Sequence, residues 1–241
     1  MDPLRKTAII AGALYLITFA TSIPTLVLFA PVQVPGYILG AGPASGVLWG
    51  VLLNVICALA GAGTAVALFP VVKRQNEALA IGFVASRVIE GTLIVVGAVC
   101  LLSLVTLRQD LAGAAGVNEA SLITGGALLL AVHGWTFVLG QSLMPVVNAL
   151  LLGTLLYKSR LVPRVIPVLG LIGAPLLFAS VTATIFGAFG QISPVATIAA
   201  LPIAVWEFSL GVWLVIKGFT YSPITAGTSS AAVPPDRGET V

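Results

Sequence analysis

Six long apolar runs, separated by short polar breaks, occupy almost all of this 241-residue chain. They extend from about Thr7 to Ala30, Val47 to Val72, Ala78 to Leu107, Gly126 to Tyr157, Val165 to Phe189 and Pro194 to Ile216. A helix of about 20 apolar residues crosses the roughly 30 Å hydrocarbon core of a bilayer. Hydrocarbon holds no water to satisfy backbone N–H and C=O groups, so each run must close its own hydrogen bonds as a helix. The pattern predicts an all-α bundle of six transmembrane helices over residues 1–219. From about residue 220 to 241 the composition turns to Ser, Thr, Pro, Ala and Gly, and a disordered tail is expected there.

Breaks within the runs refine this picture. Pro24, Pro145, Pro175 and Pro202 fall inside apolar segments, which membrane helices tolerate when neighbouring groups satisfy the freed carbonyls. The fourth run is the longest and contains Gly134, Gly140 and Pro145, so a kink or a strong tilt is expected. The connection between the first two runs carries Pro31, Pro35, Gly36, Gly40, Gly42 and Pro43, which suits a compact or interfacial loop. The first run exceeds the roughly 7–15-residue core of a cleavable signal and reads as a retained helix.

Charge fixes an orientation. Arg5, Lys6, Lys73, Arg74, Lys158, Arg160, Arg164, Lys217 and Arg237 all fall on one side of a six-helix layout, whereas Arg108 stands on the other. Cytoplasmic loops are enriched in Lys and Arg, so both termini are expected to be cytoplasmic, in a multi-pass plasma-membrane protein. Composition agrees: 8% charged residues could not cover a water-facing surface, where a soluble domain averages roughly 25%. The net charge of +3 gathers in short flanks rather than in a stripe, which argues against a nucleic-acid partner and leaves the lipid bilayer.

Against this background three charges inside the runs stand out. Arg87 and Glu90 share a face of the third helix at i, i+3, and Glu207 lies in the sixth. A charge at mid-membrane costs roughly 2.5–3.5 kcal/mol on insertion scales and marks a pairing, a function or both. Counted from the cytoplasmic ends, all three lie about 15 Å deep. One reading is a structural ion pair docking helix three on helix six. The other is a functional cluster in which one glutamate pairs Arg87 and the second takes up a proton or a cationic group.

Further polar groups surround the cluster. His133, Gln141 and Asn148 recur along the fourth run as one polar stripe, and Asn54 adds an amide on the second. Interhelical hydrogen bonds are the simplest role for the amides, and a shared polar cavity is the alternative. His133 is either a satisfied hydrogen-bond partner or, if it faces the carboxylates, an acid/base. Cys57 and Cys100 lie in apolar runs and read as small apolar side chains. Ser86 and Ser209 neighbour the charges and suit bonding to their own helices. No nucleotide-binding loop, metalloprotease motif or serine-nucleophile motif occurs, and with a single histidine no metal or cofactor is expected.

The sequence Val88-Ile89-Glu90-Gly91-Thr92-Leu93-Ile94-Val95 parallels Val205-Trp206-Glu207-Phe208-Ser209-Leu210-Gly211-Val212. Helices one to three and four to six would then form inverted repeats whose glutamates meet near the midplane, a transporter-like layout.

Several segments together carry a family resemblance. They are Arg5-Lys6-Thr7-Ala8-Ile9-Ile10-Ala11-Gly12 leading to Tyr15-Leu16, Ala67-Leu68-Phe69-Pro70-Val71 before Lys73, and Arg87-Val88-Ile89-Glu90. Then come Trp135-Thr136-Phe137, Asn148-Ala149-Leu150-Leu151-Leu152-Gly153, and Ser159-Arg160-Leu161-Val162-Pro163-Arg164 with Ile166-Pro167. The last is Trp206-Glu207 through Trp213 to Lys217-Gly218-Phe219. From Arg5 to Phe219 the chain resembles the bacterial domain-of-unknown-function 4386 family of multi-spanning membrane proteins. The resemblance implies a bacterial plasma-membrane protein and brings no activity, substrate or catalytic residue with it.

The expectation is a protein that binds or transports a small molecule or lipid at Arg87, Glu90 and Glu207, with His133, Gln141, Asn148 and Asn54 lining the approach. Two alternatives stay open. One is an intramembrane enzyme using Glu90 or Glu207 with His133. The other is a structural or partner-binding membrane protein. Oligomeric state is open as well.

Overall fold

A computed structural model describes residues 2–34, 36–40, 43–111, 116, 118–191 and 193–226. Six helices in it are long and apolar enough to cross a membrane: α1 Pro3–Leu28, α2 Ser45–Val72, α3 Glu77–Leu111, α4 Glu119–Ser159, α5 Val165–Ile185 and α6 Pro194–Ile216. The all-α, six-span expectation therefore holds.

Where bounds differ from the apolar runs, caps decide. Asp2 accepts from the Leu4 amide with Pro3 opening α1, so the helix starts before the apolar run does. Asn118 accepts from the amides of Ala120 and Ser121 and starts α4 seven residues ahead of Gly126. Gly187, at φ 77°, lies just past the end of α5, before the apolar run ends.

Each helix packs on its neighbours in sequence, and α6 closes back on α1. The result is a ring of six helices. Closure needs backbones to approach closely: a Cβ placed on Gly12 of α1 would lie 2.7 Å from the carbonyl oxygen of Gly211 on α6. Arg5 then reaches across to the carbonyls of Leu214, Val215 and Ile216 at 3.2, 2.8 and 3.2 Å, satisfying the C-terminal carbonyls of α6 with a fixed cation. Gly218, at φ 77°, leaves space for that guanidinium, because a Cβ there would meet Arg5 Nη1 at 2.9 Å.

The interior is unevenly filled. Toward the end of the bundle that carries the N-terminus, Leu68, Phe83, Leu152, Leu155, Leu156, Trp206, Leu210 and Leu214 form a solid apolar core. Toward the opposite end a second cluster joins the 29–44 connection to α2, α3 and the start of α4. That connection is compact. It forms two 3-10 turns, Ala30–Gln33 and Tyr37–Leu39, that bury Val32 and Ile38. Arg108 holds it, donating to the Gly40 carbonyl at 2.8 Å and stacking 4.1 Å from the Tyr37 ring centroid. Pro35 and Gly42 of this loop lie outside the described residues. The outer faces of all six helices present large apolar side chains such as Leu26, Leu59, Val99, Phe178 and Ile198, which suits lipid and not water.

α4 is not a uniform α-helix. Val138–Leu143 forms a π segment immediately before Pro145. Proline has no N–H for the carbonyl four residues back, and a widened turn is one way a helix absorbs that loss. The helix in which Gly134, Gly140 and Pro145 predict a kink or a strong tilt departs from α geometry at this segment. Pro24, Pro175 and Pro202, by contrast, sit within unbroken α-helices.

Of the segment expected to be a tail, Thr220–Ala226 packs on the bundle. The Thr220 amide donates to Leu161 O at 2.8 Å, and the hydroxyls of Thr220 and Ser222 donate to the carbonyls of Arg160 and Ser159. Arg74 donates to Ile224 O at 3.4 Å. Residues 227–241, including Arg237, lie outside the described residues.

Candidate functional site

Depth brings the site together. Tyr15 on α1, Arg87 and Glu90 on α3, Asn148 on α4 and Glu207 on α6 all lie roughly nine to thirteen residues, about 14–20 Å, from the same end of the bundle. Ring packing turns this common depth into contact. Arg87 is 97% buried by its side chain and works as the hub. Its Nη1 donates to Oε1 and Oε2 of Glu90 at 3.2 and 3.0 Å. Its Nη2 donates to Glu207 Oε1 and, at 3.3 Å, to the Tyr15 hydroxyl. The guanidinium carbon also stands 5.3 Å from the Tyr15 ring centroid and 5.8 Å from that of Phe83, aromatic surroundings that suit a delocalised cation.

The expectation is that one glutamate pairs Arg87 and the other takes up a proton or a cationic group, and the structure corrects the pairing. Both engage the same guanidinium, one through each terminal nitrogen. An arginine presents five donors in a fixed fork, so two carboxylates at one depth are drawn to it together. They are not equivalent, however. Glu90 also accepts from Asn148 Nδ2 at 2.6 Å, and Asn148 Oδ1 in turn accepts from the Ser86 hydroxyl at 2.7 Å. Glu207 accepts from Arg87 at Oε1, and among the described residues no donor reaches its Oε2.

A cavity of about 170 Å³ opens beside this layer, and every one of the six helices lines it. Arg87, Glu90, Glu207 and Gln141 contribute the strongly polar part of its wall, and Thr18, Ser22 and Cys57 add weaker polar groups. Ile94, Leu177 and Ile203 contribute apolar surface. The side chains of Glu90 and Glu207 keep 12% and 13% of their surface exposed, so the carboxylates border accessible space more than Arg87 does at 3%.

Two predicted residues stand elsewhere. His133 Nδ1 lies 3.2 Å from Gly97 O, and its ring meets Phe29 edge-on at 5.8 Å. A carbonyl only accepts, so Nδ1 carries the hydrogen in this contact. His133 does not line the cavity. Asn54 is buried, with no partner for its Oδ1. Of the stripe of His133, Gln141 and Asn148, Gln141 lines the cavity, and the other two both contact α3, Asn148 through Ser86 and Glu90 and His133 through Gly97. Gln141 lies inside the π segment that separates the other two. Sequence reading missed Tyr15 as a partner of Arg87, although its depth on α1 was a usable signal. It also missed Thr18 and Ser22, which look like ordinary helix residues until the ring closes.

These features define a polytopic membrane protein with six candidate spans and a buried Arg–Glu centre. The chain belongs to the family described as domain of unknown function (DUF4386), whose model matches residues 10–218. No curated protein and no solved structure matches the chain.

Proposed function

We propose that this protein binds a small molecule or lipid-derived group in the cavity beside Arg87, Glu90 and Glu207, and moves or presents it within the membrane. The observation that carries this reading is the cavity itself, set against a charged layer and lined by all six helices. Ion pairs kept only to dock helices are best served by a dry, filled surrounding, whereas here two carboxylates border open space. The apolar core on one side of the charged layer and the cavity on the other fit one half of an alternating-access pathway. Glu90 and Glu207, in the third helix of each half, converge on Arg87 as an inverted repeat requires.

The end of the bundle formed by Arg5, Lys73, Arg74, Lys158, Arg160, Arg164 and Lys217 is the cytoplasmic one in this reading, with both termini there and the cavity on the opposite side of the charged layer. The membrane is the plasma membrane.

Native mass spectrometry of the full chain released from lipid tests the proposal. A small-molecule adduct is expected on the wild type and is expected to be lost in Ala204→Phe, which fills the cavity from α6. Equal adduct occupancy in both proteins would remove the cavity from the account. A second reading is favoured by one observation: both glutamates engage Arg87, as docking elements would. That reading expects Ala204→Phe to change nothing but stability. The acid/base reading is less supported, since His133 contacts Gly97 O and is not among the residues lining the cavity.

A further inference from the structure

The charges and lone pairs around the cavity are unbalanced. Arg87 offers one positive charge to two carboxyl groups, Glu90 and Glu207, which exceed it by one negative charge when both are ionised. Both terminal nitrogens of Arg87 are committed to Glu90, Glu207 and Tyr15, and its buried Nε has no partner among the described residues. The Thr18 hydroxyl already donates to the Tyr15 carbonyl at 2.7 Å, and the Cys57 thiol is directed at the Thr18 carbonyl at 3.8 Å. Among the described residues, Glu207 Oε2 is left as a carboxylate oxygen with no donor, while the Gln141 amide and the Ser22 hydroxyl, which can donate or accept, line the same space. A carboxylate oxygen bordering a low-dielectric space calls for a cation that can donate hydrogen bonds.

The rest of the wall sets the size and character of that cation. Ile94, Leu177, Ile203 and the ring of Phe19 are apolar, so that part of the wall offers a bare metal ion no oxygen ligand and suits a ligand with an apolar body. An apolar cavity of about 150 Å³ holds one benzene molecule, so the space here admits a ring or a chain of similar bulk.

We infer that the ligand class of this cavity is a small organic ammonium ion, its N–H groups on Glu207 Oε2 and its apolar body against Ile94, Leu177 and Ile203. This inference rests on the proposed reading of the cavity as a ligand site and names the chemistry that site selects. Glu90, bound by Arg87 and Asn148, holds Arg87 in place; Glu207 is the residue that meets the ligand.

Three probes of one size and different charge test it: benzylammonium, benzyl alcohol and benzoate. They are titrated calorimetrically into the full chain in nanodiscs of zwitterionic lipid, with empty nanodiscs subtracted. The wild type is expected to bind benzylammonium roughly tenfold or more tightly than benzyl alcohol, the size of effect a charge-assisted hydrogen bond gives. Benzoate is expected not to compete. Glu207→Gln keeps an acceptor for Arg87 and should abolish the preference for the ammonium while leaving benzyl alcohol bound. Equal affinity for amine and alcohol, tighter binding of benzoate, or a preference that survives Glu207→Gln would each overturn the inference. The wild-type comparison needs no variant to fold. If benzyl alcohol binds and Ala204→Phe removes it without any preference for the amine, the cavity reading stands and the ammonium class falls. If no probe binds, or none responds to Ala204→Phe, both fall.

Discussion

Arg87 on α3 and Glu207 on α6, 120 positions apart in the chain, form an ion pair at the centre of the helix ring. The pair joins the two halves of the chain, and Tyr15 on α1 leans on the same guanidinium from the closing side of the ring. Fold and candidate site therefore share one residue. Removing the cation would leave two carboxylates facing each other without a counter-charge.

For that reason Arg87→Leu is expected to cost about 3–5 kcal/mol, the usual penalty for stripping one partner from a buried pair. Arg87→Lys recovers part of this, since an ammonium keeps the charge but cannot fork to both glutamates. Thermal unfolding of the purified protein in detergent ranks the three. Equal melting temperatures for wild type and Arg87→Leu would mean that the pair contributes nothing to the fold.

Asn148 links two groups, donating to Glu90 and accepting from Ser86. Asn148→Ala leaves a carboxylate oxygen short of a donor and a buried hydroxyl without its acceptor, with an expected loss of about 1–3 kcal/mol. Asn148→Asp should be worse despite its closer shape, because it sets a third carboxylate against Glu90. An aspartate variant more stable than the alanine variant would contradict the arrangement.

Gly12 tests ring closure. With the Gly211 carbonyl 2.7 Å from its would-be Cβ, Gly12→Ala forces backbone to move, at an expected cost of about 1–3 kcal/mol. Gly125→Ala on α4 serves as the control, since nothing lies within 4 Å of its Cβ position, and it should be neutral or slightly stabilising. Comparable melting temperatures for the two variants would place α1 and α6 farther apart than described.

His133→Phe removes the contact with Gly97 but keeps a ring against Phe29. A loss of about 1 kcal/mol is expected, with probe binding in the cavity unchanged. Loss of binding in this variant would return His133 to the site.

Much of this was legible because hydrocarbon is a strict solvent. It forced helices wherever the chain was apolar, and it made Arg87, Glu90 and Glu207 conspicuous by their cost. Helix ends were less legible, because Asp2, Asn118 and Gly187 set them through local hydrogen bonds and backbone conformation rather than through hydropathy. Of the stripe of His133, Gln141 and Asn148, Gln141 lines the cavity and the other two contact α3. A π segment ahead of Pro145 changes the angular period, and periodicity alone does not reveal where that happens. Thr18 and Ser22 joined the site through the packing of α1 on its neighbours in the ring, a tertiary event that no local pattern announces.

The central claim is that the space beside Arg87 and Glu207 admits a polar ligand. Thiol labelling tests it most directly. Ser22→Cys, in a chain with Cys57→Ala and Cys100→Ala, places one thiol on the cavity wall. Leu68→Cys in the same background places one in the solid core. The account predicts that the folded Ser22→Cys protein is modified by the cationic aminoethyl methanethiosulfonate faster than by the anionic sulfonatoethyl reagent. It also predicts that benzylammonium slows the reaction. A Ser22→Cys thiol as inert to both reagents as the Leu68→Cys thiol would contradict it.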